Sequence, residues 1–422
     1  MGDPNPQFVR ALTVISAMAF SFFSANRVLS LDRFEPGSSD ATGGVRIRDV
    51  RVLIVSDARR LRLRGGQGLR IIDETAGRTE TTNSGGLDVR AAPSGMIFVD
   101  DQPWSGTGII LDPSGGQKLQ VETVGDEGRE NAWEYPGRLH VLVRDGLLSV
   151  INQVEIEQYV GCVVANEVWP DFTDEALKTQ AIVARTFVLY HMLRRPNATY
   201  DVAATQGSQV YRGIRSDTVG SRASQAANLT RGLVCTHREN GEDRLFCTYY
   251  SSACGGMSQS AAKLGAEGDL KPLSGGVKCD YCRIAPGDVY RWGPARISTS
   301  DVLTKLTSRY PDFADLGAIS SIVPIEKTPS GRPVSLRIVG SSGTSHELLA
   351  ERFRVAVGAS TVRSTDCRIR VSGEQVIFDN GKGFGHGLGL CQWGMQNQTL
   401  QGRSAAEILR FYYPGSRLTR VY

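Results

Sequence analysis

The sequence has no strong bias of charge. Lysine and arginine number 48 and aspartate and glutamate 44, so the formal net charge is only +4 over 422 residues. Such a surface admits an anionic partner without calling for one, and no nucleic-acid partner is expected. Beyond residue 25 no apolar run is long enough to span a bilayer, so any membrane contact falls to the N-terminus. There is no internal repeat. Strands and helices do not alternate regularly either, which excludes a doubly wound parallel sheet. What remains, with 41% hydrophobic and 22% charged residues, is a globular chain long enough for two domains.

The N-terminus differs from the rest. After Arg10 comes ALTVISAMAFSFFSA (Ala11 to Ala25), fifteen residues without a charge. That length suits the apolar core of a signal peptide and is short for a membrane span of roughly 20 residues. The positive flank is weak because Asp3 offsets Arg10, and the alternative is a buried or amphipathic helix. Export to the periplasm or cell envelope is the expectation, with cleavage left open; an uncleaved segment would be an anchor. Glu35 to Gly44 (EPGSSDATGG) reads as a linker.

Eight cysteines fit an exported chain that forms disulfides. Cys247, Cys254, Cys279 and Cys282 cluster in sequence, the last two as C-x-x-C. The C-x-x-C spacing is also a zinc pattern, though the first pair, C-x6-C, is too loose for a standard ribbon; given the expected leader, a disulfide involving Cys254 is favoured over zinc. Cys162, Cys235, Cys367 and Cys391 stand alone and read as small buried hydrophobes.

From Val45 to about Gly146 the pattern is that of strands, with strict alternation in LRLR (Leu61 to Arg64). Eight arginines between Arg46 and Arg70 read as a solvated face or an anion-binding one. Asp145-Gly146 predicts a hairpin turn in RLHVLVRDGLLSVINQVEI. After Pro170 the period changes. Leu177, Ala181, Ala184, Val188 and Met192 share one face of a helix capped by Thr173 and closed by Arg194-Arg195. Shorter helices are predicted over Ser298 to Tyr310 and His346 to Gly358, with a hairpin between them across Pro329-Ser330-Gly331. Ser404 and Glu407 form a capping box opening AEILRFYY. The fold class is α+β.

Three stretches offer chemistry. GFGHGLGLCQWGM (Gly383 to Met395) fails as a dinucleotide site, since G-x-G-x-x-G would need glycine at Leu388 and no helix is expected directly after it. It also holds Cys391 and His386, the residue types of a thiol nucleophile and its base, but nothing nearby in sequence lowers the thiol pKa. Its alternating glycines suit close approach of a neighbour or ligand. The third candidate is Glu167 in VVANEVWPDF, where an apolar strand is expected to give way to the long helix. Among Val163, Val164, Val168, Trp169 and Phe172 a carboxyl group would be desolvated and suited to donating a proton near neutral pH. Equally, it could be an exposed residue before a helix.

At these residues the chain resembles the stage II sporulation protein D and amidase-enhancer family. The resemblance is carried by Glu155 to Met192 (EIEQYVGCVVANEVWPDF…), QVYRG (Gln209 to Gly213), YYSSACGG (Tyr249 to Gly256) with Trp292, and GFGHGLGLCQWGM with LQGRSAAEILRFYYPGS. It spans about Arg138 to Tyr422 and implies a catalytic domain over residues 138–422, which follows the leader and linker over 1–44 and a β-rich domain over 45–137 read from the residues. It also implies a peptidoglycan lytic transglycosylase that cuts between N-acetylmuramic acid and N-acetylglucosamine, leaving a 1,6-anhydro end on denuded strands.

The family's catalytic glutamate falls on Glu167. It would protonate the leaving oxygen and then take the proton of the muramic C6 hydroxyl as that oxygen attacks C1. No second carboxylate is then required, although Asp171 and Asp174 lie close by. His386 and Gln392 would line a glycan groove opposite Glu167, with Gly385 and Gly387 admitting the sugar. Arg185 and Gln180 would stand behind Glu167, Arg185 either as a contact or as a structural ion pair, and Gln209 and Tyr211 would add contacts. Trp393 reads as core.

The chain departs from the pattern at Asn166, Val168 and Cys391. A Cys/His zinc site that some relatives have before QVY has no ligands in DVAATQGSQVY (Asp201 to Tyr211), so no metal or cofactor is expected. The runner-up function is a non-catalytic glycan binder that stimulates a cell-wall N-acetylmuramoyl-L-alanine amidase.

Overall fold

Asp145 and Gly146 turn the chain as their sequence predicts. Both take positive φ, 53° and 73°, and Arg138–Arg144 pairs antiparallel with Leu147–Val154 from Arg144 and Leu147 outwards. This hairpin is central to a seven-stranded sheet in the computed structural model, which describes residues 47–422 except 105, 126–127 and 206. The expected leader and linker, within residues 1–44, lie outside the described residues. Among the described residues no helix is long and apolar enough to cross a membrane.

Residues 47–247 with 418–422 form one compact unit and 248–417 another. The expected boundary at 137/138 falls inside the first of these units. Val50–Ala58 pairs with Leu147–Val154, and Gly108–Asp112 pairs with Arg138–Arg144, so sheet hydrogen bonds cross that point. A cut there would leave unpaired strand edges. A second sheet of six strands places Arg60–Arg64 between Leu119–Gly125 and Leu87–Ala91, with Leu61 and Leu63 wholly buried. Several of the arginines nearby are occupied by acids. Arg48 and Arg51 both clamp buried Asp201, Arg60 pairs with Asp88 and Arg70 with Asp112.

The long helix runs Asp174–Arg194, with Thr173 Oγ1 accepting from the Ala176 N–H at 3.2 Å. It is buried nearly all round, because helices Ile156–Glu167 and Thr218–Leu229 and strand Leu233–Glu239 pack against it. Ile156–Glu167 corrects the expected strand before Glu167. The Glu155 carboxylate accepts from the N–H groups of Glu157 and Gln158 at 2.8 and 3.0 Å, and this N-cap with tertiary packing overrides the β-preference of Val163-Val164.

Between the two helices lies a buried ion pair. Arg185 Nε donates to Glu157 Oε1 at 3.0 Å and Nη2 pairs with Oε2, while the other donors reach the carbonyls of Ala227 and Leu233. The last residues of the chain return to the same place: Val421 N–H donates to the Gly232 carbonyl, and Tyr422 OH to Glu157 Oε1 at 2.6 Å.

The second unit has its own core around Val302, Leu306, Leu336, Ile338, Phe353 and Phe378. The predicted hairpin is present as Ile319–Lys327 against Pro333–Gly340. The helix expected from His346 is corrected: Ser345–Leu349 is a third strand on that hairpin, and only Ala350–Val357 is helical. The predicted helix near residue 300 covers Thr299–Thr307, and Ser404 and Glu407 form the expected box before Ala405–Tyr412. Helix Gln392–Leu400, not expected, begins directly after the glycine-rich stretch.

Replacing Arg185 by Ala would leave the Glu157 carboxylate buried without its cation. Such changes cost about 3–5 kcal/mol. Urea denaturation of Arg185→Ala is expected to show a loss of that order, and a loss below about 1 kcal/mol, the level of a surface pair, would contradict the pair's structural role.

Candidate active site

Glu167 is the last residue of helix Ile156–Glu167, and it is partly buried. The cap residue Val168 and Phe172 are buried on its C-terminal side, at 2% and 1% exposure. The turn that follows the long helix brings a distant segment against it. Val210 N–H donates to Glu167 Oε1 at 2.6 Å. Tyr159 OH, two helical turns earlier, donates to Gln209 Oε1 at 2.8 Å, and Asn166 Nδ2 donates to the Cys162 carbonyl at 2.7 Å. Thus QVYRG is fastened along the helix that carries Glu167, and a backbone donor fixes one carboxylate oxygen. Of the nearby carboxylates, Asp174 is paired with Arg222 at 2.8 Å and Asp171 is exposed.

Three residues expected near substrate make contacts within the protein, Arg185 through the ion pair that was one of its two expected roles. Arg185 is fully buried and committed to Glu157. Gln209 is fully buried and accepts from Tyr159. Tyr211 is 2% exposed and donates to Asn152 Oδ1 at 2.6 Å. Gln180 is buried on the same helix as Arg185. Arg185, Gln209 and Tyr211 support the Glu167 helix from within the fold, because each finds a polar partner in the protein.

The glycine-rich stretch belongs to the second unit. Its main chain pairs with YYSSACGG: Tyr250 and Ser251 lie parallel to Leu390 and Cys391, and Ala253 and Phe384 exchange N–H···O bonds at 3.1 and 2.8 Å. Gly385 and Gly387 both have positive φ, 107° and 75°. A Cβ on Gly385 would lie 2.7 Å from Ser251 Cβ, and one on Gly387 3.0 Å from Arg332 Nη1. The close approach that these glycines permit is therefore to protein neighbours. Gln392, at 5% exposure, is buried in the first turn of the following helix.

His386 accepts at Nδ1 from the Leu388 N–H at 2.9 Å, which places the proton of the neutral ring on Nε2. Its ring stands edge-on to Tyr249, with centroids 6.0 Å apart. The residue keeps some exposed surface, but the ring itself is packed among these neighbours. Burial pushes the imidazole down to about 4, opposed by Glu351 and reinforced by Arg354 and Arg332. The expected cleft shared by Glu167 and His386 would span both units and stays an expectation.

Cys391 is not an activated nucleophile, because burial holds its thiol well above the ordinary value. Nor does it stand alone. The sulfurs of Cys254, Cys279, Cys282 and Cys391 lie within 4.8 Å of one another, all buried. Among the described residues every cysteine is free, so the expected disulfide at Cys254 is absent. Cys247 is not in the group; its sulfur sits 3.8 Å from His191 Nε2 in the first unit. Cys162 and Cys235 are buried thiols pushed up to about 12, as small hydrophobes would be. Cys391 was missed because its three companions lie far back in the sequence, and no spacing rule joins them.

The pH response of the fold follows from two neutral histidines. Burial also lowers His191 to about 4, with Arg195 and Arg194 adding to it. An unfolded histidine titrates near 6.5, so between 6.5 and 4 the unfolded chain binds protons that the folded chain refuses. Stability is complete above pH 6.5 and falls as pH drops towards 4, by about 1–3 kcal/mol for each histidine. Urea midpoints measured from pH 7 to 4.5 should fall in the wild type and fall less in His386→Gln. Parallel profiles would contradict the assignment for His386.

A family profile described as stage II sporulation protein matches residues 144–237, and one described as a domain of unknown function matches residues 283–389. An uncharacterised protein of Brachyspira hyodysenteriae is 32% identical over 68% of this chain and 72% of its own. The stage II sporulation protein D of Bacillus amyloliquefaciens is 25% identical over 63% of this chain and 74% of its own. The amidase enhancer of Bacillus subtilis is 28% identical over 61% of this chain, which spans only 40% of that longer protein. The first profile covers the Glu167 helix, the long helix and QVYRG, the parts that hydrogen bonds bring together around Glu167. The chain belongs to the stage II sporulation protein D and amidase-enhancer family.

Proposed function

We propose that this protein is a peptidoglycan lytic transglycosylase with Glu167 as its acid and base. The observation that carries the reading is the placement of Glu167. It ends a helix anchored by a buried ion pair, and one carboxylate oxygen is held by the Val210 N–H. A carboxyl group oriented in this way, with Val168 and Phe172 excluding water on one side, suits proton transfer to a glycosidic oxygen.

In its protonated form Glu167 donates to the oxygen that links muramic C1 to the next sugar, and the C1–O bond breaks. The carboxylate so formed takes the proton of the muramic C6 hydroxyl as O6 closes on C1. The products are a 1,6-anhydro end and a free hydroxyl on the leaving sugar. Water is not consumed, and Glu167 ends protonated as it began. One carboxylate therefore suffices where an ordinary glycosidase uses two. The proposal includes export to the cell envelope and a substrate of glycan strands stripped of stem peptides.

A second reading draws on the amidase enhancer of Bacillus subtilis: this chain would bind glycan and stimulate an amidase without cutting. Product analysis by mass spectrometry on amidase-stripped glycan separates the two. Wild type should release 1,6-anhydro products and Glu167→Gln should release about 100-fold less or fainter still, with unchanged thermal unfolding. If both proteins bind glycan and neither releases product, the enzyme reading is lost and the amidase reading stands.

A further inference from the structure

Three separate parts of the second unit each send cysteine sulfur to one point. Cys254 comes from the loop after Tyr250–Ser251, Cys279 and Cys282 from the turn leading through Tyr281–Ile284, and Cys391 from the end of the glycine-rich stretch. All four sulfurs lie within 4.8 Å of one another, and Cys254 and Cys282 are 3.8 Å apart. Four thiolates around one zinc ion, at metal–sulfur bonds of about 2.3 Å in a tetrahedron, stand about 3.8 Å from one another. A disulfide would need the sulfurs at about 2.0 Å, and would tie only two of the four. A cluster of several iron atoms would spread the sulfurs wider, so the spacing leaves room for a single ion.

We propose that Cys254, Cys279, Cys282 and Cys391 bind one Zn2+ as a closed structural site that locks the glycine-rich stretch to the YYSSACGG segment. Each thiol gives up its proton on binding, and soft sulfur ligands in tetrahedral array select zinc over harder divalent ions. With four protein ligands no position is left for water, so the ion is structural and not part of the cutting chemistry. The expectation of a metal-free chain is revised accordingly.

The surroundings fit ligands that carry charge. Cys254 N–H donates to Cys391 Sγ at 3.2 Å, and Tyr412 OH lies 3.1 Å from Cys279 Sγ, so donors outside the set support the sulfurs. Cys391 also occupies the N-cap position of helix Gln392–Leu400, where the helix dipole favours negative charge. Gly394 leaves the necessary space, since a Cβ there would lie 2.8 Å from Cys279 Sγ and 2.0 Å from Tyr412 Oη.

A second, independent observation concerns Arg332. It is 1% exposed and forms no ion pair with a carboxylate among the described residues, although Asp366 feels its charge. Its guanidinium donates to the Cys254 carbonyl and, at 3.4 Å, to that of His386. A buried cation without a counter-charge is costly. Zinc with four thiolates carries two net negative charges, and Arg332 is bonded to the main chain of one ligand. The site thus adds negative charge beside Arg332, which among the described residues otherwise has only the unpaired carboxylate of Asp366 within electrostatic reach.

The test uses the full chain purified under reducing conditions. Elemental analysis should find about one zinc per chain. Replacement by Co2+ should give the intense visible bands of a tetrahedral thiolate site. Cys391→Ser and Cys282→Ser should lose the bound metal at least about tenfold, while Cys162→Ser keeps it. Should the two ligand variants fail to fold, the wild-type stoichiometry and cobalt spectrum decide alone. Absence of stoichiometric metal, a Cys254–Cys282 disulfide found by peptide mapping of the wild type, or the absorption of iron bound in place of zinc would each overturn the proposal. None of these measurements depends on Glu167, so the metal site and the proposed enzyme activity stand or fall separately.

Discussion

The buried pair of Glu157 and Arg185 is the interaction on which the candidate active site depends. It joins the helix that ends in Glu167 to the long helix, and the same Arg185 reaches the main chain at Ala227 and Leu233. Tyr422 closes the group from the C-terminus. Two charges taken out of water must be fully satisfied, so this arrangement has one geometry and tolerates little shift. The orientation of the Glu167 helix is set there. The local position of its carboxylate is then set by Val210, two turns from where Gln209 meets Tyr159.

The second unit solves a different problem with different means. A chain rich in glycine has little tendency to stay in one conformation, because glycine loses the most freedom on ordering. Here the backbone is held by pairing with YYSSACGG, by His386 accepting from Leu388, and by Arg332 beneath. Four sulfurs meeting at one end give the metal proposal its place in the account: an ion would fix three loops whose own contacts are mostly main chain.

Local chemistry was legible in the sequence wherever the determinant is local. Thr173 as N-cap, the Asp145-Gly146 turn and the Ser404–Glu407 box were found where expected, since each involves residues within a few positions. Tertiary context prevailed elsewhere. Val163-Val164 reads as strand yet lies in a helix capped by Glu155, and HELL reads as helix yet completes a sheet. The compact unit that runs past the expected boundary has the same cause, because pairing of Val50–Ala58 with Leu147–Val154 bridges a long stretch of chain. At the site, Glu167 was visible through its apolar neighbours and its family resemblance. The tasks of Arg185, Gln209 and Tyr211 were not, because motif membership does not distinguish a residue that touches ligand from one that holds the residue that does. Cys391 shows the limit most plainly: its partners are neighbours only in the folded chain.

The central claim is that the attacking oxygen comes from the substrate and that Glu167 serves both proton transfers. Digestion of stem-free glycan in water enriched in oxygen-18, followed by mass spectrometry of the new ends, tests it directly. The account predicts 1,6-anhydro ends without the heavy isotope. Reducing ends labelled with oxygen-18 would show that water is the nucleophile and would contradict it.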